Sequence, residues 1–312
     1  MPVMERDPWR LQYFEHVFCP PGTFVPTDDA DAWELFPDYR WVYNKLEMAL
    51  SLSLPSGPHG VMPTSFPVFS KPIYNMRGMG TGSRLIATAG EYVDALAPGH
   101  FWMPVLVGDH ISTDVAVESG HARWWRHSAG YAVGDGMFDY WVIRAGRDEQ
   151  IEMMAAPWIS ENLAGYTGML NIETIGGTII EMHLRFADQW PDLYGGDAWV
   201  RALIQLYSDG VWRFEDTIKN DAFSIPLFGD HEANYGQPPG KLIDEVLSMP
   251  SVSSLQITFD QDKPGHLHAM PPGGFRLAIV NCTDLDEGLL ARETLRRDFD
   301  VMQAAGISVT ES

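Results

Sequence analysis

Apolar positions recur along this chain with two periods, and each change of period marks an element. Trp41, Val42, Leu46, Ala49 and Leu50 have helical spacing. A helix is therefore expected to start after Asp28-Asp29, break at Pro37 and run to about Ser53, with Lys45 near its middle. Residues 55–67 hold four prolines and two glycines and read as a connector. Strand-like runs follow at Phe66–Tyr74, Phe101–Val107, Ile111–Val117, Ala122–His127 and Phe138–Arg144, with Ser119-Gly120 turning the third into the fourth as a hairpin. Leu255–Phe259 and Phe275–Asn281 read as later strands. Short helices are expected at Glu91–Leu96, Ser160–Leu163, Ala198–Tyr207 and Leu242–Leu247. Residues 215–240, rich in Asp, Pro and Gly, read as an extended loop. Asp284, with Glu287 three residues later, is a capping-box pattern that opens a last helix ending near Ala304. Strands outnumber helices and several are joined as hairpins. This predicts an α+β protein with antiparallel sheets rather than a doubly wound parallel sheet.

The segment Gly168–Arg185 carries the most chemistry. Two strand-like arms flank the tight turn Gly176-Gly177. Alternation along a strand puts Glu181 and His183 on one face, and hairpin pairing brings Glu173 opposite them. Two carboxylates and an imidazole meeting on an apolar scaffold read as a metal site, because unpaired buried charge is costly. A solvated hairpin with alternating polar residues is the other reading. Upstream, Lys71 ends an apolar strand just before the Gly-rich loop Asn75–Ser83, NMRGMGTGS. An ammonium there, beside unobstructed backbone N–H groups, is placed to meet phosphate oxygens. The Walker pattern is absent, since the lysine precedes the glycines.

Charge and composition narrow the partners. The chain has 42 acidic and 21 basic residues and a net charge of -21. That field repels phosphate backbones, so no nucleic-acid partner is expected, although a few lysines and a divalent cation can still hold a triphosphate. No run of about 18 apolar residues occurs, so no membrane span is expected. The N-terminus lacks a basic region followed by an apolar stretch, and Cys19 and Cys282 lie far apart and read as reduced, packed thiols. Together these features predict a cytoplasmic protein.

Taken in order from Lys45 to Arg185, these pieces resemble the ATP-grasp superfamily of carboxylate–amine ligases over roughly residues 40–190. The resemblance implies two α+β subdomains with antiparallel sheets clasping ATP. The core would span 41–190, after an N-terminal segment 1–40 and before a C-terminal α+β extension 191–312 packed on it. Lys45 and Lys71 would hold phosphates, and Arg77, Gly78 and Gly80 would belong to the loop that covers them. Met103, Val105, Asp109 and His110 would line the nucleotide along the hinge strand FWMPVLVGDH. Glu173, Glu181 and His183 would hold Mg²⁺ or Mn²⁺, and Arg185 with Lys71 would act at the transferred phosphoryl group. The implied activity is ATP-dependent conversion of a small carboxylate into an acylphosphate, then attack by an amine. The alternative is an inactive nucleotide-binding module serving as a regulatory or scaffold subunit.

Three departures bear on that expectation. His183 stands where the family pattern Glu-x-Asn-x-Arg has Asn, and imidazole suits Mn²⁺ or Zn²⁺ better than Mg²⁺. Asp109 or His110 stands where a Glu for the ribose is often found. Only about 40 residues precede Lys45. Acceptor binding therefore falls to the C-terminal segment, to a second copy or partner subunit, or is absent. Other candidates stay open between function and packing. Trp124, Trp125, Arg126 and His127 line an acceptor pocket or simply pack. His266 and His268 alternate like ligands but lack a third donor. Asp188, Gln189, Trp190 and Asp192 contact substrate or cap a turn. No Gly-x-Ser-x-Gly elbow surrounds Ser112 or Ser128.

Overall fold

Two antiparallel sheets organise the chain, seen here in a computed structural model that describes residues 8–76, 80–134, 136–187, 189–268 and 271–304. The N-terminal part holds α1 (Pro8–Leu11), α2 (Asp29–Leu35), a 3₁₀ segment Pro37–Tyr43 and α3 (Lys45–Ser51). Asp28 caps α2 by accepting from Asp31 N, and Asn44 caps α3 by accepting from Glu47 N. Pro37 opens the 3₁₀ segment, because it cannot donate within a continuous helix. The single interrupted helix expected from the sequence is thus three short pieces, and Lys45 begins α3 instead of sitting mid-helix.

The smaller sheet contains β1 (Gly57–Pro58), β2 (Val68–Pro72), β3 (Arg84–Ile86) and β4 (His100–Pro104) in the order β1-β4-β2-β3, with α4 (Ala89–Asp94) packed on it. Val68, Ile86, Tyr92 and Trp102 form its small core.

The larger sheet begins with β5 (His110–Glu118), β6 (His121–Gly134) and β7 (Met137–Arg144), then α5 (Glu149–Asn162), β8 (Gly168–Ile175) and β9 (Thr178–His183). It continues with α6 (Asp197–Asp209), β10 (Ala222–Gly229), α7 (Gly240–Leu247), β11 (Val252–Ile257), β12 (Phe275–Cys282) and α8 (Leu285–Ala304). The strand order is β11-β12-β10-β7-β6-β5-β8-β9, so residues after 191 add three strands to the sheet that carries the acidic hairpin. Both faces of the sheet are covered. Along β5, Val115 and Val117 pack with α5 residues Ala155 and Ile159, while Ala116 packs with α6 residues Trp199 and Leu203. This explains why β5 is apolar on successive residues instead of alternating.

Later elements also differ from the expectation. The short helix at Ser160–Leu163 is the end of the 14-residue α5, whose Pro157 lies on its exposed side. The expected loop 215–240 contains β10, a strand between β12 and β7. Pro226 argues against a central strand, but β7 pairs only with Ala222–Ser224, so no β7 ladder bond is required of it.

The hairpin turn also anchors the linker between the sheets. Gly176 has φ +56°, its N–H donates to Asp109 O at 3.0 Å, and a Cβ there would lie 2.3 Å from Val107 O. Gly176→Ala is therefore expected to cost at least about 2 kcal/mol from the left-handed backbone and the clash together. Urea denaturation checks this, and an unchanged midpoint would contradict it.

Candidate functional site

A cavity of about 700 Å³ opens between the small sheet and one face of the large one. Among its lining residues are Lys45, Lys71, Gly80, His110, Glu173, Glu181, His183 and Arg185. The structure thus gathers these eight sequence-derived candidates from α3, β2, β5, β8, β9 and the adjoining loops. Others are not brought there. Met103 is buried against Ala49 and Phe101. Val105 is partly exposed, and Asp109 projects outward, 3.9 Å from Arg144. None of the three lines the cavity. Arg77, Gly78 and Asp188 lie outside the described residues.

Register explains the acidic end. Glu173 on β8 pairs directly with Glu181 on β9, and Asn171 pairs with His183. Like charges directly opposite repel, so cations must sit close by. Lys45 Nζ lies 2.6 Å from Glu181 Oε1, and His110 Nε2 lies 3.2 Å from Glu173 Oε2. Lys71 is 6% exposed and donates to Ile180 O at 2.8 Å. Burial, with Lys45 adding repulsion, lowers its pKa to about 8, despite the opposing pull of Glu181 and Glu173. Burial disfavours the charged form of Glu173, but the hydrogen bond and charge of His110 win, holding its carboxyl well below the usual range. For His110 burial acts downward, and the Glu173 bond overcomes it and raises its pKa.

Behind this end sits a residue the sequence reading treated only as a helix start. Asp29, in the first turn of α2, turns its carboxylate inward. His183 Nδ1 is 3.0 Å from its Oδ1, Arg185 Nε is 2.9 Å from the same oxygen, and Tyr43 donates to it at 3.3 Å. Burial alone would raise the pKa of Asp29, but Arg185 and then His183 outweigh it and keep the carboxylate ionised. Burial opposes charge on His183 too, and Asp29 more than offsets it, so its pKa is raised. The available signal for Asp29 was the doublet Asp28-Asp29, of which only one residue can be the cap.

Asp114 forms a further buried anchor beneath the cavity floor. It accepts from Ala187 N at 2.9 Å, Asn171 Nδ2 at 2.7 Å and the Tyr194 hydroxyl at 2.8 Å, which ties the segment after the hairpin to β5 and β8. Burial raises its pKa to about 6.

Several open candidates resolve as packing. Trp124 packs against Tyr194, Trp199 and Trp212, Arg126 pairs with Asp216, and His127 bonds Thr113 and Glu152. His268 stacks on Phe275 at 4.3 Å. Asp192 accepts from Ser254 and Asn281. Gln189 and Trp190 do line the cavity.

Could these residues hold a divalent cation? Among the described residues, no three His, Cys, Asp or Glu side chains already close around one point. The donor chemistry nevertheless fits an ion that completes its shell with phosphate and water oxygens, since Glu173 and Glu181 supply carboxylates. His183 Nε2 lies 3.9 Å from Glu173 Oε1 and 3.6 Å from Glu181 Oε1, beside that pair.

No protein-family profile matches the chain, and no curated protein matches it. Solved structures do. The L-amino acid ligase from Bacillus licheniformis is 12% identical with a TM-score of 0.58, over 93% of this chain and 82% of that one. The N5-carboxyaminoimidazole ribonucleotide synthetase from Thermotoga maritima is 16% identical with a TM-score of 0.56, over 83% of this chain and 72% of that one. The biotin carboxylase domain of the Hydrogenobacter thermophilus 2-oxoglutarate carboxylase, solved with MgADP, ADP and bicarbonate, is 13% identical with a TM-score of 0.54, over 84% and 65%. These structural neighbours are ATP-grasp enzymes, and at such identities the likeness speaks to architecture alone. Antiparallel sheets, a cleft between them and this set of neighbours give the chain an ATP-grasp fold.

Proposed function

We propose that this protein is an ATP-dependent ligase that activates a small carboxylate as an acylphosphate and joins it to an amine. One observation carries the reading. Two buried lysines from different elements, Lys45 and Lys71, meet the paired carboxylates Glu173 and Glu181 on the lining of one cavity, Lys45 in direct contact with Glu181.

The residues divide the work. Lys45 and Lys71 screen the triphosphate, exchanging their present partners, Glu181 and Ile180 O, for phosphate oxygens. Gly80 and Ser83, on the small-sheet side of the lining, would border the phosphates. Glu173 and Glu181 would hold Mg²⁺ or Mn²⁺, with His183 beside them, and the ion supplies charge neutralisation at the phosphate oxygens. Arg185, aligned by Asp29, lies where it can hold the reacting carboxylate and the γ-phosphoryl group together. The carboxylate oxygen forms a bond to the γ-phosphorus as the bond to ADP breaks. The amine then attacks the acyl carbon, losing a proton and releasing phosphate.

The wide separation between such chemistry and simple binding makes the test direct. ADP release that depends on both a carboxylate and an amine supports the ligase. ATP binding with no ADP release across a broad panel supports the second reading, a nucleotide-binding module. That reading draws on the ion pairs Lys45–Glu181 and His183–Asp29, which already satisfy the site without substrate. Either way a nucleotide at a hundredfold excess over its Kd should stabilise the fold by about 2.7 kcal/mol. No thermal shift with ATP plus Mg²⁺ or Mn²⁺ would contradict both.

A further inference from the structure

The cavity extends well beyond the groups that face a triphosphate, and its remaining wall has a distinct chemistry. Its lining crosses the large sheet in strand order. Glu173 lies on β8, His110 on β5, Phe138 and Trp141 on β7, and Phe228 on β10. From β8 to β7 is three strand spacings, or about 14 Å. The polar end therefore gives way to an aromatic wall within the length of a small molecule.

That wall is continuous with the catalytic end. The His110 ring, bonded to Glu173, lies 5.4 Å from Phe138 and 5.7 Å from Trp141. Phe138 and Trp141 are 4.4 Å apart, and Trp141 is 5.6 Å from Trp190. Gly130 makes room for this cluster, since a Cβ there would lie 2.6 Å from Phe138 and 2.9 Å from Trp141. Phe138 is half-buried, so part of its ring remains open to the cavity. Pro226 and Phe228 extend the apolar surface on the neighbouring strand.

We propose that the carboxylate substrate of this site carries an aromatic ring, which packs on Phe138 and Trp141 while its carboxylate points toward Arg185 and the acidic hairpin. The inference rests on the ligase reading for the direction of the carboxylate, but the wall itself does not. A ring seated there gains edge-to-face or offset contacts beyond simple burial. Polar lining borders this wall at Gln189, next to Trp190, and at Arg276, opposite Phe228, but a polar body lying on the faces of Phe138 and Trp141 would lose water without hydrogen bonds from those two rings to replace it.

Calorimetric titration of the full chain, held with a non-hydrolysable ATP analogue and Mg²⁺, tests this with three acids. 3-Phenylpropionate is expected to bind roughly tenfold tighter than hexanoate, and tighter still than glutarate. Phe138→Ala, which removes a partly exposed ring, should erase the preference without preventing folding, as thermal denaturation will report. Equal or weaker binding of the aromatic acid overturns the proposal. ADP release measured in parallel separates the two claims. Turnover confined to non-aromatic acids overturns the aromatic substrate and leaves the ligase intact. An aromatic binding preference without ADP release upholds the pocket and removes the ligase.

Discussion

Replacing Asp29 by Ala is expected to lower folding stability by about 3–5 kcal/mol, because it strands a buried His183 and a largely buried Arg185 without their shared counter-ion. The same change should abolish ADP release, since Arg185 loses the group that aims it. Asp28→Ala provides the contrast one residue away. Asp28 caps α2 through Asp31 N and also borders the cavity, and its loss should cost about 1 kcal/mol and spare more turnover than Asp29→Ala, because the Asp29 counter-ion of Arg185 stays in place. Urea denaturation of both variants, with ADP release measured alongside, checks the pair. Equal destabilisation by the two would remove Asp29 from the account.

Lys71→Met is expected to act in the opposite direction on stability and just as strongly on binding. Burial and the charge of Lys45 lower the Lys71 pKa from 10.5 to about 8, so the folded protein disfavours its ammonium. A lysine with a depressed folded pKa costs stability below that pKa, and the cost fades as pH rises to the unfolded value, because the unfolded chain holds more protons in between. The shift corresponds to about 3 kcal/mol. Losing the hydrogen bond to Ile180 O returns about 1 kcal/mol of that. A net gain of about 2 kcal/mol is therefore expected at pH 7, shrinking as pH rises above about 8 and becoming a cost of about 1 kcal/mol near pH 10.5, where only the lost hydrogen bond remains. ATP affinity should nevertheless fall at least tenfold, as one of two buried phosphate-facing cations is gone. In the parent protein, phosphates beside Lys71 should raise its pKa again, so ATP binding near pH 8 takes up protons. Calorimetry in buffers of different ionisation heat reads that uptake. A destabilised Lys71→Met protein that keeps full ATP affinity would contradict this picture.

The acidic hairpin was legible in the sequence because its information is local. Alternation fixed Glu181 and His183 on one face, Gly176-Gly177 fixed the turn, and pairing then placed Glu173 opposite Glu181. Lys71 was legible as the end of an apolar strand before a Gly-rich loop. Asp29 was not, because its role comes from contacts with His183 and Arg185 more than 150 positions away, and a helix-start Asp has an ordinary local explanation. The strand β10 was hidden by Pro226, which reads as a breaker until the partial pairing with β7 is known. The placing of Met103 and Asp109 also depended on how the linker between the sheets is threaded. Gly176 fixes that threading through Asp109 O. Among the described residues no helix is long and apolar enough to cross a membrane.

The account depends most on where a triphosphate sits. A crystal structure with a non-hydrolysable ATP analogue and Mn²⁺, located by its anomalous signal, decides this. The expected result is phosphate oxygens on Lys45 and Lys71, with the metal peak beside Glu173 and Glu181. An analogue bound elsewhere, with the Lys45–Glu181 pair still closed, would contradict it.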